Sequence, residues 1–184
     1  NITGDIKSDE SKPMDVRWPV APSHVPENLT KYYEHFVNVN GHDINLMRYF
    51  FGCPKNIESF YFKPGIGAVS VFDYDEFPVI YQWSDTLQLT RWEEGLEINF
   101  ERGSLKLTLP PAFLTNVPAQ VTLYEWHSRD SQITSQYDTD WSWAFQCEDS
   151  EVTNCVLNDI EAPSSGSDSL LDMKIIDQLW KKLS

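Results

Sequence analysis

Basic residues are scarce in this chain: 14 Lys+Arg stand against 28 Asp+Glu in 184 residues, a formal net charge of −14. A phosphate backbone needs a Lys/Arg face that displaces its counterions, so no nucleic-acid partner is expected. An anionic membrane surface is excluded on the same ground. No uninterrupted apolar run approaches the roughly 20 residues that a spanning helix requires. The opening Asn1-Ile2-Thr3-Gly4-Asp5 has neither the basic nor the apolar region of a signal peptide, which makes a cytoplasmic location the expectation. Cysteine is sparse too. Cys53, Cys147 and Cys155 are an odd number without C-x-x-C spacing, and no His pair accompanies them, so no metal site is expected. They read as unpaired thiols of a reducing compartment, and the sequons at Asn1 and Asn28 carry no weight there. What the chain does hold is 41% hydrophobic and 14% aromatic residues, including 7 Trp, too apolar for disorder and enough to bury the core of one domain.

Residues 1–30 contain Pro13, Pro19, Pro22 and Pro26, which fix φ and remove donors, so they read as an extended arm. Residues 31–184 read as one domain. From Thr30 to Phe51, apolar residues recur at three- and four-residue steps, and Gly52-Cys53-Pro54 is a stop signal, predicting a helix over 30–51. Gly41 predicts either a break near 39–41 or close packing there. Strands are predicted at 57–62, 68–74, 79–83, 87–92, 96–100, 104–109 and 120–126, from β-branched and aromatic enrichment with alternation. Their short connections make the sheet antiparallel. Residues 127–160 give no clear pattern. Leu170, Leu171, Met173, Ile175, Ile176, Leu179, Trp180 and Leu183 predict an amphipathic closing helix, with Lys181-Lys182 at its favourable end. The fold class is α+β: an open, mostly antiparallel sheet between two helices.

Candidate chemistry is limited. Gly65-Ile66-Gly67 is a G-x-G fragment between two strands, not at a helix start, and reads as a hairpin turn; this chain alone is expected to bind no dinucleotide. There is no nucleophile elbow and no H-E-x-x-H. The acids Asp73, Asp75 and Glu76, and the pair Glu93/Glu94, sit at strand connections, where carboxylates are solvated rather than held as catalytic acids. Of the four histidines, His42 alone lies in a context that suggests a site. On a helix, Asn38, His42 and Asn45 project from one face, where an imidazole between amides can move protons beside a polyol; the competing reading is a structural His satisfied by Asn38 and the backbone. The tryptophans Trp83, Trp92, Trp126, Trp141 and Trp143 form a sugar-stacking platform if exposed and core or oligomer surface if buried, and burial is the commoner fate.

The string from Gly41-His42-Asp43-Ile44-Asn45-Leu46-Met47-Arg48 to Gly52 resembles the H-D-x-D/N-L-x-R-x-x-x-G helix of the Gfo/Idh/MocA oxidoreductases. Ser165-Gly166-Ser167-Asp168 through Asp172 and Ile175 is similar to that family's closing S-G-x-D-x-x-x-D-x-x-I helix, and Phe100-Glu101-Arg102-Gly103-Ser104-Leu105 resembles its late strand turn. The likeness runs from about residue 38 to 180. It implies a C-terminal α+β domain that shapes a substrate pocket and forms homo-oligomers through its sheet face. NAD or NADP would be bound mainly by a Rossmann domain outside this chain, and the chain alone would be inactive. The implied substrate is a sugar or polyol, with His42 as acid/base beside the carbinol carbon and Asn38 and Asn45 orienting substrate. Arg17 and Trp18, on the arm, are further pocket candidates, or else a surface contact. A non-catalytic carbohydrate- or protein-binding module and a dimerisation scaffold are the competing classes.

Overall fold

The computed structural model describes residues 20–84 and 93–183. In chain order its elements are α1 (Thr30–Phe51), β1 (Asn56–Lys63), β2 (Gly67–Asp73), β3 (Pro78–Ser84), β4 (Glu94–Phe100), β5 (Gly103–Leu109), β6 (Gln120–Ser128), β7 (Ser131–Asp138), α2 (Ala144–Asn158) and α3 (Gly166–Lys181). The α+β class and the antiparallel pairing are as expected. The strands form two sheets rather than one, β1-β2-β3 and β4-β5-β6-β7, and the chain divides into two compact units. The strand expected over 87–92 lies outside the described residues. No helix among the described residues is long and apolar enough to cross a membrane.

The first unit joins α1, the β1–β3 sheet and α3. α1 buries Tyr33, Phe36, Asn40, Ile44 and Met47, a single stripe at steps of three and four, the spacing that keeps residues on one helical face. The helix runs unbroken through Gly41, and a Cβ built on that residue meets nothing within 4 Å, so neither a break nor close packing accounts for it. The stop signal is used as predicted: Gly52 adopts φ 75° and its N–H bonds the Arg48 carbonyl. In β1 the register shifts between Ile57 and Ser59, an extra residue that lets Ile57, Phe60 and Phe62 all face inward despite uneven spacing. Gly65 and Gly67, with φ 70° and 141°, lie at the β1–β2 connection, the hairpin expected from sequence; a Cβ on Gly67 would fall 2.0 Å from the Trp83 carbonyl.

Trp180 of α3 is fully buried. Its ring centroid lies 5.3 Å from Tyr33 and Phe62, 5.7 Å from Phe60 and 5.8 Å from Phe36. Aromatic pairs at such distances add to area burial, so Trp180, with Ile175, Ile176 and Leu179 buried beside it in the core, seals the closing helix onto the first sheet. The opposite face of the sheet exposes Tyr61, Val69 and Ile80.

The second unit is the β4–β7 meander with α2. Its leucine-rich face aligns Leu96, Leu107, Val121 and Tyr137 across the four strands. Cys155 alone among its described residues is a buried apolar side chain. Residues 127–160, silent in pattern, hold the end of β6 and all of β7 and α2. β7 is polar (Ser-Gln-Ile-Thr-Ser-Gln-Tyr-Asp) and is a strand through its hydrogen-bonded ladder with β6, a non-local cause that hydropathy does not encode.

Candidate functional site

The outward face of α1 carries Asn38 and His42, both exposed and one turn apart. They sit on the side of the helix away from the Tyr33–Met47 stripe. Asn45, predicted on the same face, is engaged elsewhere: its amide donates to Asp172 Oδ2 of α3 at 2.8 Å. The structure therefore brings Asn38 and His42 together and ties Asn45 into the helix pair. Arg17 and Trp18 lie outside the described residues.

Beside Asn45, Arg48 joins α1 to α3. Its Nε donates to Asp172 Oδ1 at 2.7 Å and its Nη1 to Asp168 Oδ1 at 2.8 Å, with Nη2 bonded to Asp168 Oδ2. The planar fork suits this division between two carboxylates. The Asp168 and Asp172 hydrogen bonds push the Arg48 guanidinium further above its ordinary range. The Arg48 hydrogen bonds in turn hold Asp168 below the usual carboxylate range. Asp168 also lies in the first turn of α3, where the helix dipole favours a negative charge. The side chains of Arg48 and Asp172 are only 11% and 9% exposed.

A second polar chain lies toward the sheet. Asn40, fully buried, donates through Nδ2 to Tyr81 Oη at 2.5 Å, and Tyr81 donates to Asp43 Oδ2 at 3.0 Å. Asn40 Oδ1 is buried without a partner. The signal for Asn40 was present in the sequence as a polar residue inside an apolar stripe, between Phe36 and Ile44. Nothing local marked Tyr81, which lies on strand β3.

The acids at the β2–β3 connection are solvated as expected: Asp75 and Glu76 are exposed, and Asp75 pairs with Lys55. Among the described residues no group of three or more His, Cys, Asp and Glu could hold a metal ion. The tryptophans divide. Trp83 is half-buried, while Trp126, Trp141 and Trp143 are exposed at 54%, 74% and 36% in the single chain, so none of these three is a core residue. Trp92 lies outside the described residues.

No family model matches the sequence, and no curated protein matches it. Solved structures match in fold. One, from Desulfitobacterium hafniense and provisionally named an NADPH-dependent oxidoreductase, is 13% identical with a TM-score of 0.67 over 85% of this chain and 48% of its own. Another, the provisionally named oxidoreductase yhhX, is 11% identical with a TM-score of 0.56 over 79% of this chain and 47% of its own. The chain thus spans about half the length of each. At these identities the likeness is one of fold, shared with proteins named as oxidoreductases.

Proposed function

We propose that this chain is the substrate-shaping and oligomerising part of an NAD(P)-dependent oxidoreductase of the Gfo/Idh/MocA type, acting in the cytoplasm on a sugar or polyol. The observation that carries the reading is the joining of two distant motifs. Asn45 and Arg48, from the first family-like string, bind Asp168 and Asp172, from the last. Four of the residues that make the two strings resemble the family are therefore the ones that clamp α1 to α3, and the clamp leaves His42 and Asn38 facing outward from a fixed helix.

The described residues do not themselves fit a dinucleotide. Gly65 and Gly67 serve a hairpin, the chain is strongly acidic, and no Gly-rich turn opens a helix to cradle a pyrophosphate. The hydride chemistry that a nicotinamide supplies belongs, in this reading, to a separate domain. This chain's own contribution is the proton. His42 takes the hydroxyl proton from the substrate carbinol, or returns it to the carbonyl, through an exposed imidazole nitrogen. Asn38 orients a neighbouring hydroxyl as donor and acceptor; an amide cannot take the proton itself. The outer face of the first sheet, with Tyr61, Val69 and Ile80 exposed, is the proposed oligomer surface, which light scattering tests directly.

The test of the catalytic reading is His42→Ala in the protein that carries its nucleotide domain. Loss of roughly 10²–10⁴-fold in kcat is expected for a general acid–base residue, with Asn38→Ala raising KM for the same substrate. Unchanged turnover in His42→Ala would refute it. An intact mass in source cells larger by about 120–150 residues, the size of a nucleotide domain, is expected on the same reading.

A further inference from the structure

We propose that the β4–β7 sheet of the second unit carries a binding site for a neutral saccharide, on the face opposite its leucine-rich one. The proposal uses neither His42 nor a nucleotide and does not rest on the oxidoreductase reading.

A shallow depression of about 260 Å³ there is lined by Asn99, Ser104, Tyr124, Trp126 and Gln132, with Gly103 and Glu125 completing its wall. Their convergence follows from register. Asn99 pairs with Ser104, and Ser104 with Tyr124, across three adjacent strands. Trp126, two residues beyond Tyr124, pairs with Gln132 on β7. Residues two apart on a strand share a face, and neighbouring strands lie about 4.8 Å apart. The five side chains therefore stand as a patch about the width of one or two pyranose rings.

The chemistry of the patch is specific. Trp126 is 54% exposed, and the Arg102 guanidinium lies 5.4 Å from its ring centroid, a cation–π contact that holds the indole in place. An indole kept in water is an apolar plate on which the C–H face of a sugar can stack. Around it stand two amides, a hydroxyl and a phenol, which together offer donors and acceptors without net charge. Among the described residues none of Asn99, Ser104, Tyr124 and Gln132 is tied by a side-chain hydrogen bond to the rest of the unit.

The same features decide against other occupants. Arg102 beside the Trp126 ring is balanced by Glu125 in the lining, and the next row on this face sets Glu97 against Lys106, so a phosphorylated or carboxylated ligand finds no net counter-charge, in a chain of net charge −14. A peptide adding as a strand needs a sheet edge, whereas this depression lies on a face. A neutral polyhydroxylated ring uses both the plate and the mixed polar rim.

The experiment is an ¹⁵N NMR titration of the full chain, with the Trp126 indole N–H assigned through Trp126→Phe. The probes are maltose, cellobiose and methyl α-mannopyranoside, with glucose 6-phosphate as the charged comparison. For so open a site the expected dissociation constant is on the order of millimolar. We expect at least one neutral probe to give a saturable shift at the Trp126 indole and the Gln132 amide, with glucose 6-phosphate no tighter than the neutral probes. Trp126→Ala should weaken it at least tenfold, and Gln132→Ala should weaken it with the fold intact by near-UV circular dichroism. Because Trp126 is a surface residue, its loss is not expected to unfold the chain; Trp126→Phe, which keeps an aromatic plate, should bind with intermediate affinity. No shift with any neutral probe at about 50 mM, well above a millimolar constant, overturns the proposal, as does binding that survives both Trp126→Ala and Gln132→Ala, or tighter binding of glucose 6-phosphate.

Discussion

Replacing Arg48 with alanine removes the one cation that two α3 carboxylates share. Asp172, whose side chain is only 9% exposed, is left with the Asn45 amide and no counter-charge. Breaking a buried pair by deleting one partner costs about 3–5 kcal/mol. Asp168 is more exposed, at 28%, and can return to water, so the cost should fall near the lower end, about 3 kcal/mol. For a chain of this size that lowers Tm by about 6–12 °C. Urea denaturation followed by far-UV circular dichroism measures it as a drop in midpoint at nearly constant slope. Two further variants separate charge from packing. Arg48→Met keeps the apolar stem and should still lose most of the stability. Arg48→Lys keeps the charge but not the two-carboxylate fork, and should recover only part. Adding Asp172→Asn to Arg48→Met should be less than additive, because the second change removes the stranded charge. A loss under about 0.5 kcal/mol in Arg48→Ala, the range of ordinary surface changes, would refute the claim that this clamp holds α1 to α3.

The same clamp sets an acid limit. The Arg48 hydrogen bonds lower the folded-state pKa of Asp168, so its contribution is complete above the unfolded value of about 3.9 and is lost as pH falls through the lower folded value. Urea midpoints measured between pH 7 and 2 should fall at the acid end in the parent and less steeply in Arg48→Met; parallel profiles would contradict the coupling. Gly41→Ala should stabilise by about 0.5–1 kcal/mol, since the added methyl meets open space in a continuous helix; a lower Tm would show that residue 41 has a neighbour that the structure does not describe. Tyr81→Phe removes the hydroxyl between Asn40 and Asp43, strands a fully buried amide, and should cost about 1–3 kcal/mol in urea denaturation; a neutral result would mean that Asn40 finds water instead.

The proposed function gives these stability experiments a functional reading. His42 and Asn38 are presented by a helix that the Arg48 clamp and the Asn40–Tyr81–Asp43 chain hold from two sides. A variant that loosens either tie should therefore disturb the proposed substrate face without touching it.

How much was legible in advance depended on how local the cause was. The helix over 30–51 followed from its apolar steps and the Gly52 stop, and α3 followed from its stripe of Ile175, Ile176, Leu179 and Trp180. The hairpin at Gly65 and Gly67 followed from turn chemistry that acts within a few residues. β7 and α2 were not legible, because one is defined by pairing with β6 and the other places its Phe145, Val152 and Val156 in solvent, so neither displays a buried face to read.

The sequence by itself determined the two flanking helices, most of the strands and their order, the acidic charge and the placing of Asn38 and His42 one turn apart on one face of α1, since helical period and turn residues are properties of short segments. Tertiary structure alone decided that Asn45 serves Asp172 rather than the outward face, that Arg48 reaches Asp168 and Asp172 more than 100 residues away, that Tyr81 answers Asn40, and that the strands divide into two sheets. Each of these is a pairing between distant segments, and its free energy exists only after the chain has brought both partners together.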